Sequence, residues 1–216
     1  MLKSEGFVFL FSIVKKVCPH SLTLSLSHSL TVCPQELCEK HNLQATDWFV
    51  EKIVQLQAML HVRHGVMIIG DPMSGKTKTN NILAESLTTL AERKIPEQHE
   101  FKVQSTIINP KSITMAQLYG CFDPETHEWS DGVLATTFRD MATSTAQERK
   151  WIILDGPADP AWIENLNTVL DDSKKLCLMS GEIVHLSPWM RMLFEVRDTP
   201  LALYVTCFLT QLNNTF

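Results

Sequence analysis

The sequence predicts an α/β fold, a parallel sheet flanked by helices on both faces. Three observations predict it. Gly70-Asp71-Pro72-Met73-Ser74-Gly75-Lys76-Thr77 reads G-x-x-x-x-G-K-[ST], a pattern met by chance in roughly one per cent of chains of this length. The apolar run Val66-Met67-Ile68-Ile69 enters it and a helical pattern leaves it, the strand–loop–helix order that a P-loop requires. Strand-like and helix-like stretches then alternate, which argues for parallel strands joined by helical crossovers.

The chain has 216 residues, 44% hydrophobic and 20% charged, enough for one α/β domain with some additional material. A net charge of −5 and the lack of a dense Lys/Arg run give no reason to expect nucleic-acid binding. Six scattered cysteines without a C-x-x-C pair indicate neither a zinc knuckle nor a disulfide framework, and fit reduced thiols in a cytoplasmic protein. No apolar run has the length of a bilayer span. Phe7 to Val14 mimics the core of a signal peptide, but Glu5 precedes it and Lys15-Lys16 follow it, which argues against secretion.

Residues 1–33 differ from the rest. Ser21 to Ser27 alternates polar and apolar residues like a strand, within a low-complexity stretch, and this end is expected to be atypical, either disordered or non-native to the domain. Residues 34–64 read as a helical lead-in. Pro34 can open a short helix, with Glu36 in its first turn. Thr46 and Asp47 cap the next, whose Phe49, Ile53, Leu56 and Leu60 share one face.

Residues 65–198 carry the sheet. After the P-loop, Ile82, Leu83, Leu87, Leu90 and Ala91 form a helical stripe that Pro96 stops. Val103 to Asn109 is a strand candidate. Thr114 to Gln117 has the form of a capping box, closed by Gly120. Asp131 offers a cap for a helix through Val133, Leu134 and Phe138, and Thr143 to Lys150 reads as a loop. Trp151-Ile152-Ile153-Leu154-Asp155 is a buried-strand pattern ending in an acid, at the edge where open α/β sheets place their ligands. Asp159-Pro160 opens a helix through Trp162, Leu166 and Leu170. Leu176 to Met179 and Glu182 to Leu186, joined by Ser180-Gly181, predict a β-hairpin. Met192 to Val196 is the last strand, and residues 199–216 form a tail of different character.

The motifs specify chemistry. Backbone N–H groups from Gly70 to Gly75 would cradle phosphates at a helix N-terminus. Lys76 would reach the β- and γ-phosphates of ATP, and the Thr77 hydroxyl would ligate Mg²⁺. Asp155 fits the Walker B role of holding Mg²⁺, directly or through water. Its competing reading is a turn aspartate before Gly156-Pro157. A hydrolytic site of this type carries a glutamate after that aspartate to position the attacking water, yet the residue here is Gly156. Glu164 reads as a surface residue. The last strand offers Glu195 where a neutral polar residue is expected, and its carboxylate would repel a γ-phosphate. Arg139, Arg191 and Arg197 read as solvated charges rather than arginine fingers. The site is thus expected to hold ATP without turning it over quickly, and no catalytic residue is assigned.

With these pieces placed, the chain resembles the dynein heavy chain, specifically the second AAA+ module of its motor ring, with axonemal members nearest. The resemblance rests on Val62-Arg63-His64-Gly65, Ile108 to Thr114, Gln117 to Gly120, Glu128 to Val133, Trp151 to Pro157, and Trp162 to Asp172 running on through Lys174 to Glu182. It spans about residues 34–198. It implies an AAA+ large subdomain that binds ATP and serves structure or regulation, within a minus-end-directed microtubule motor of the cilium axoneme. The partners implied are the other AAA+ modules, the intermediate and light chains, and microtubules; neither nucleic acid nor membrane is implied. The family's Ala-Thr-Val-Ser-Arg-Cys-Gly run is replaced by Thr199 to Val205, and the helical lid is expected to be missing, as in a truncated fragment. Two alternatives stay open: a stand-alone small P-loop NTPase or kinase, and a non-functional truncated product. The lack of an Asn-Lys-x-Asp motif argues against a GTPase, and the lack of an arginine-rich lid against a nucleotide kinase.

Overall fold

The structure, a computed structural model, describes residues 27–93, 101–157 and 159–197. The expected features at 1–26, Pro96 and 199–216 lie outside the described residues. The helices are α1 (Ser27–Lys40), α2 (Asp47–Val62), α3 (Lys76–Arg93), α4 (Met115–Tyr119), α5 (Val133–Thr143), α6 (Pro160–Ile163) and α7 (Asn167–Leu170). The strands are β1 (Gly65–Ile69), β2 (Val103–Ile108), β3 (Gly120–Phe122), β4 (Trp129–Asp131), β5 (Arg149–Asp155), β6 (Lys175–Cys177), β7 (Ile183–His185) and β8 (Met190–Val196).

Four strands form a parallel sheet in the order β1-β8-β5-β2, as the buried apolar runs predict. Period-two alternation divides their side chains between two cores. Val66, Ile68, Trp151, Ile153 and Leu193 pack beneath α1, α2 and α3. Ile152, Leu154, Met192, Phe194 and Val196 pack on the other face against α4 to α7. Thr46 caps α2 by accepting from the Phe49 N–H, and Thr114 and Gln117 form the predicted capping box. The Ser180-Gly181 hairpin is present as β6–β7.

Four expectations are corrected. The helix expected to open at Pro34 begins at Ser27 and carries Pro34 inside it. Proline in a helix interior costs about 3 kcal/mol, and burial of Cys33, Leu37 and Cys38 against α2 and α3 offsets it. Asp131 does not cap α5. The N-cap is Gly132, where an added Cβ would lie 2.3 Å from the Leu118 carbonyl oxygen, so only glycine fits. The helix expected from Pro160 to Leu170 is broken by a 3₁₀ turn at Glu164–Leu166. Just before the turn, the Trp162 carbonyl accepts the buried Tyr119 hydroxyl at 2.6 Å, a bond that competes with the helical ladder. Finally, a second hairpin, β3–β4, closes over residues 123–128, where no strand was expected.

Arg139 is not a free surface charge. Its guanidinium donates to both Asp131 oxygens, at 2.8 and 3.1 Å, and to Glu182 at 2.9 and 2.6 Å. It therefore ties the β3–β4 hairpin to the turn of β6–β7. Arg191 likewise donates to the Leu60, Pro188 and Met190 carbonyls, whereas Arg197 is exposed as expected.

Hydrogen bonding to Arg139 holds both carboxyls below their usual pKa. The stability they confer is complete above the ordinary carboxylate range, about pH 4, and is lost as pH falls through the depressed values. Arg139→Gln should lower stability at pH 7 by about 1 kcal/mol or less, since the pairs are partly exposed. It should also flatten the acid limb of a denaturation series run from neutral to low pH.

Candidate nucleotide site

The site lies at the C-terminal edge of the sheet, where β1, β8 and β5 end side by side. Gly70 follows β1, and its N–H donates to the Val196 carbonyl on β8 at 3.2 Å. The loop then turns through two left-handed residues, Met73 at φ +64° and Gly75 at φ +95°. Glycine takes that conformation freely, whereas Met73 bears strain of about 1–2 kcal/mol. Strain of this kind collects at ligand-clamping loops. Helix α3 begins at Lys76 with no acidic residue in its first turn, which leaves the N-terminal partial positive charge for an anion.

The loop residues have the donor chemistry for phosphate. The Lys76 ammonium donates to the Gly70 and Asp71 carbonyls at 2.6 and 2.9 Å, and no carboxylate pairs with it among the described residues. The Ser74 hydroxyl oxygen is buried without a hydrogen-bond partner. Buried polar groups left alone in this way are uncommon and call for a ligand or water. Asp71, Pro72 and Met73 are exposed along the loop.

Asp155 ends β5 and is exposed, with Glu195 as its register partner on β8. Trp151 and Ile153 belong to the core beneath α3, so alternation turns Asp155 to that same face. The structure thus brings Asp155 to the same sheet edge as the P-loop, with β8 between their strands. Among the described residues no cluster of three or more His, Cys, Asp or Glu forms a metal site. A cation here would have to share its coordination with a ligand such as a phosphate.

Gly156 follows Asp155, and its N–H donates to the Glu195 carbonyl. A Cβ added there would meet Pro110 Cδ at 3.2 Å and Asn109 Oδ1 at 3.4 Å. The residues that follow β2 therefore lie close beside the position a hydrolytic glutamate would occupy. Glu164 is exposed on the 3₁₀ turn, as expected.

Sequence reasoning missed the role of Glu195. This residue is 3% exposed. Its Oε2 accepts from the Thr77 hydroxyl at 2.6 Å, and its Oε1 accepts from the Asn80 side-chain amide at 2.5 Å. The signal was available: Thr77 and Asn80, three apart on α3, share a helix face, and Glu195 shares the parity of Leu193, which faces α3.

Comparison with known proteins agrees with this architecture. A family model described as "AAA domain (dynein-related subfamily)" matches residues 65–205, and one described as "Hydrolytic ATP binding site of dynein motor region" matches residues 1–77. Dynein axonemal heavy chain 12 of Homo sapiens is 52% identical over 171 residues, 79% of this chain and 6% of the relative. Dynein axonemal heavy chain 3 of Mus musculus is 57% identical over 159 residues, 74% of this chain and 4% of the relative. Dynein axonemal heavy chain 1 of Rattus norvegicus is 46% identical over 169 residues, 78% and 4%. The chain therefore spans only a small part of the curated relatives it matches. It belongs to the dynein-related family of AAA domains, and its homologues are axonemal dynein heavy chains.

Proposed function

We propose that this chain is a nucleotide-holding AAA module, corresponding to the second module of an axonemal heavy-chain ring. It binds ATP with Mg²⁺ through Gly70–Thr77 and hydrolyses it little. Lys76 leaves the loop carbonyls for the phosphates, and the orphaned Ser74 hydroxyl gains a partner. Thr77 and Asp155 hold the cation, which supplies charge neutralisation to the phosphates when bound. In the intact heavy chain the module sits among the other AAA+ modules, in a minus-end-directed microtubule motor with intermediate and light chains, in the cytoplasm or the cilium axoneme.

The observation that carries the low-turnover reading is Gly156 with Asn109-Pro110 packed beside it. Glycine can neither orient a water nor take its proton. The family description that mentions hydrolysis matches only as far as Thr77, and so does not include Asp155-Gly156.

Equilibrium binding of a fluorescent ATP analogue tests the reading. The wild-type chain should bind it, and Lys76→Ala should weaken binding about a hundredfold by removing charge-assisted hydrogen bonds. Equal binding by both proteins would refute the assignment of the loop. Gly156→Glu should leave turnover unrestored and lower stability by about 1–3 kcal/mol, the usual cost of overpacking. A gain of turnover to ordinary ATPase rates in that variant would show that the glutamate alone was lacking.

A further inference from the structure

We propose that Glu195, rather than Asp155, is the carboxylate that orients Thr77 toward the divalent cation. The inference rests on the nucleotide reading above and assigns a positioning residue within that site. Thr77 Oγ1 donates its proton to Glu195 Oε2 at 2.6 Å. A hydroxyl whose proton is committed to a carboxylate keeps its oxygen lone pairs for a metal, and its rotor is no longer free. Asp155, exposed at the end of β5, has no such bond to Thr77.

Glu195 is itself held. Its second oxygen accepts from Asn80, which is 1% exposed and follows Thr77 by one turn of α3. The carboxylate is therefore clamped between two side chains of the P-loop helix and fixed below by the parallel pairing of β8 with β1 and β5. Outer partners of this kind set the orientation and basicity of a metal ligand. A negative charge at this depth also weakens metal-free nucleotide binding, because it repels the phosphates that Lys76 and the helix N-terminus attract. Glu195 thus links nucleotide occupancy to the cation.

The test is a titration of Mg²⁺ into the chain at fixed fluorescent ATP analogue, with parallel binding in EDTA. Glu195→Gln should raise the half-saturating Mg²⁺ about 10–100-fold, the range found when outer partners of metal ligands are removed. Its binding in EDTA should be retained or improved, and Asp155→Asn should shift the midpoint less than Glu195→Gln does. If Glu195→Gln fails to fold, Glu195→Asp serves: its shorter side chain keeps the charge but draws back from Thr77, and should raise the midpoint at least about threefold. An unchanged midpoint in the folded variant, or a proportionate loss of binding with and without Mg²⁺, overturns the proposal while wild-type binding still stands. A wild-type chain that binds no nucleotide at all overturns the nucleotide reading, and this proposal with it.

Discussion

Strand β8 runs between β1 and β5 in parallel register, pairing Ile69 with Val196 and Asp155 with Glu195. The geometry of the site depends on this insertion. It sets the P-loop, which leaves β1, two strands from Asp155, and puts Glu195 in the gap between them. It also gives the sheet a middle with both faces covered, so β5 and β8 are buried nearly throughout. A parallel strand buried on both faces has no solvent route for its polar groups. Glu195 is tolerated there because Thr77 and Asn80 take both its oxygens.

On the proposed reading, the same placement separates holding from hydrolysing. The features proposed to hold phosphate are all present: a strained loop, an ammonium without a counter-carboxylate among the described residues, a buried hydroxyl without a partner, and a helix N-terminus. Where a water-activating glutamate would stand on that reading, the chain has Gly156, with Asn109-Pro110 close beside it. Restoring a side chain there therefore requires Asn109-Pro110 to shift slightly as well. The hairpins add a separate element on the other face of the sheet, drawn together by Arg139 between Asp131 and Glu182.

Much of this was legible in the sequence because pattern and packing agreed. The runs entering Gly70 and ending at Asp155 have no polar break, and they became neighbours in the central sheet with only β8 between them. The capping residues Thr46 and Thr114 act locally, so their spacing sufficed. The misses came from tertiary contacts that spacing does not encode. Lys150 reads as loop, yet it is fully buried in β5 with its ammonium on the Met141 and Ser144 carbonyls. Its stem lies in the core and its head finds the C-terminal end of α5, where the helix dipole favours a cation. Asp131 looks like a cap until Arg139 and Gly132 are seen together. The hydrogen bonds of Glu195 escape the sequence because its two donors lie 118 and 115 residues away in the chain.

The fate of bound nucleotide bears most directly on the whole account. The chain would be loaded with γ-labelled ATP and Mg²⁺, freed of excess nucleotide, and sampled over time for intact triphosphate. The account predicts labelled ATP that stays intact on the protein far longer than the turnover time of an ordinary enzyme, roughly a second or less. Rapid conversion to bound ADP, at roughly one per second or faster, would contradict it.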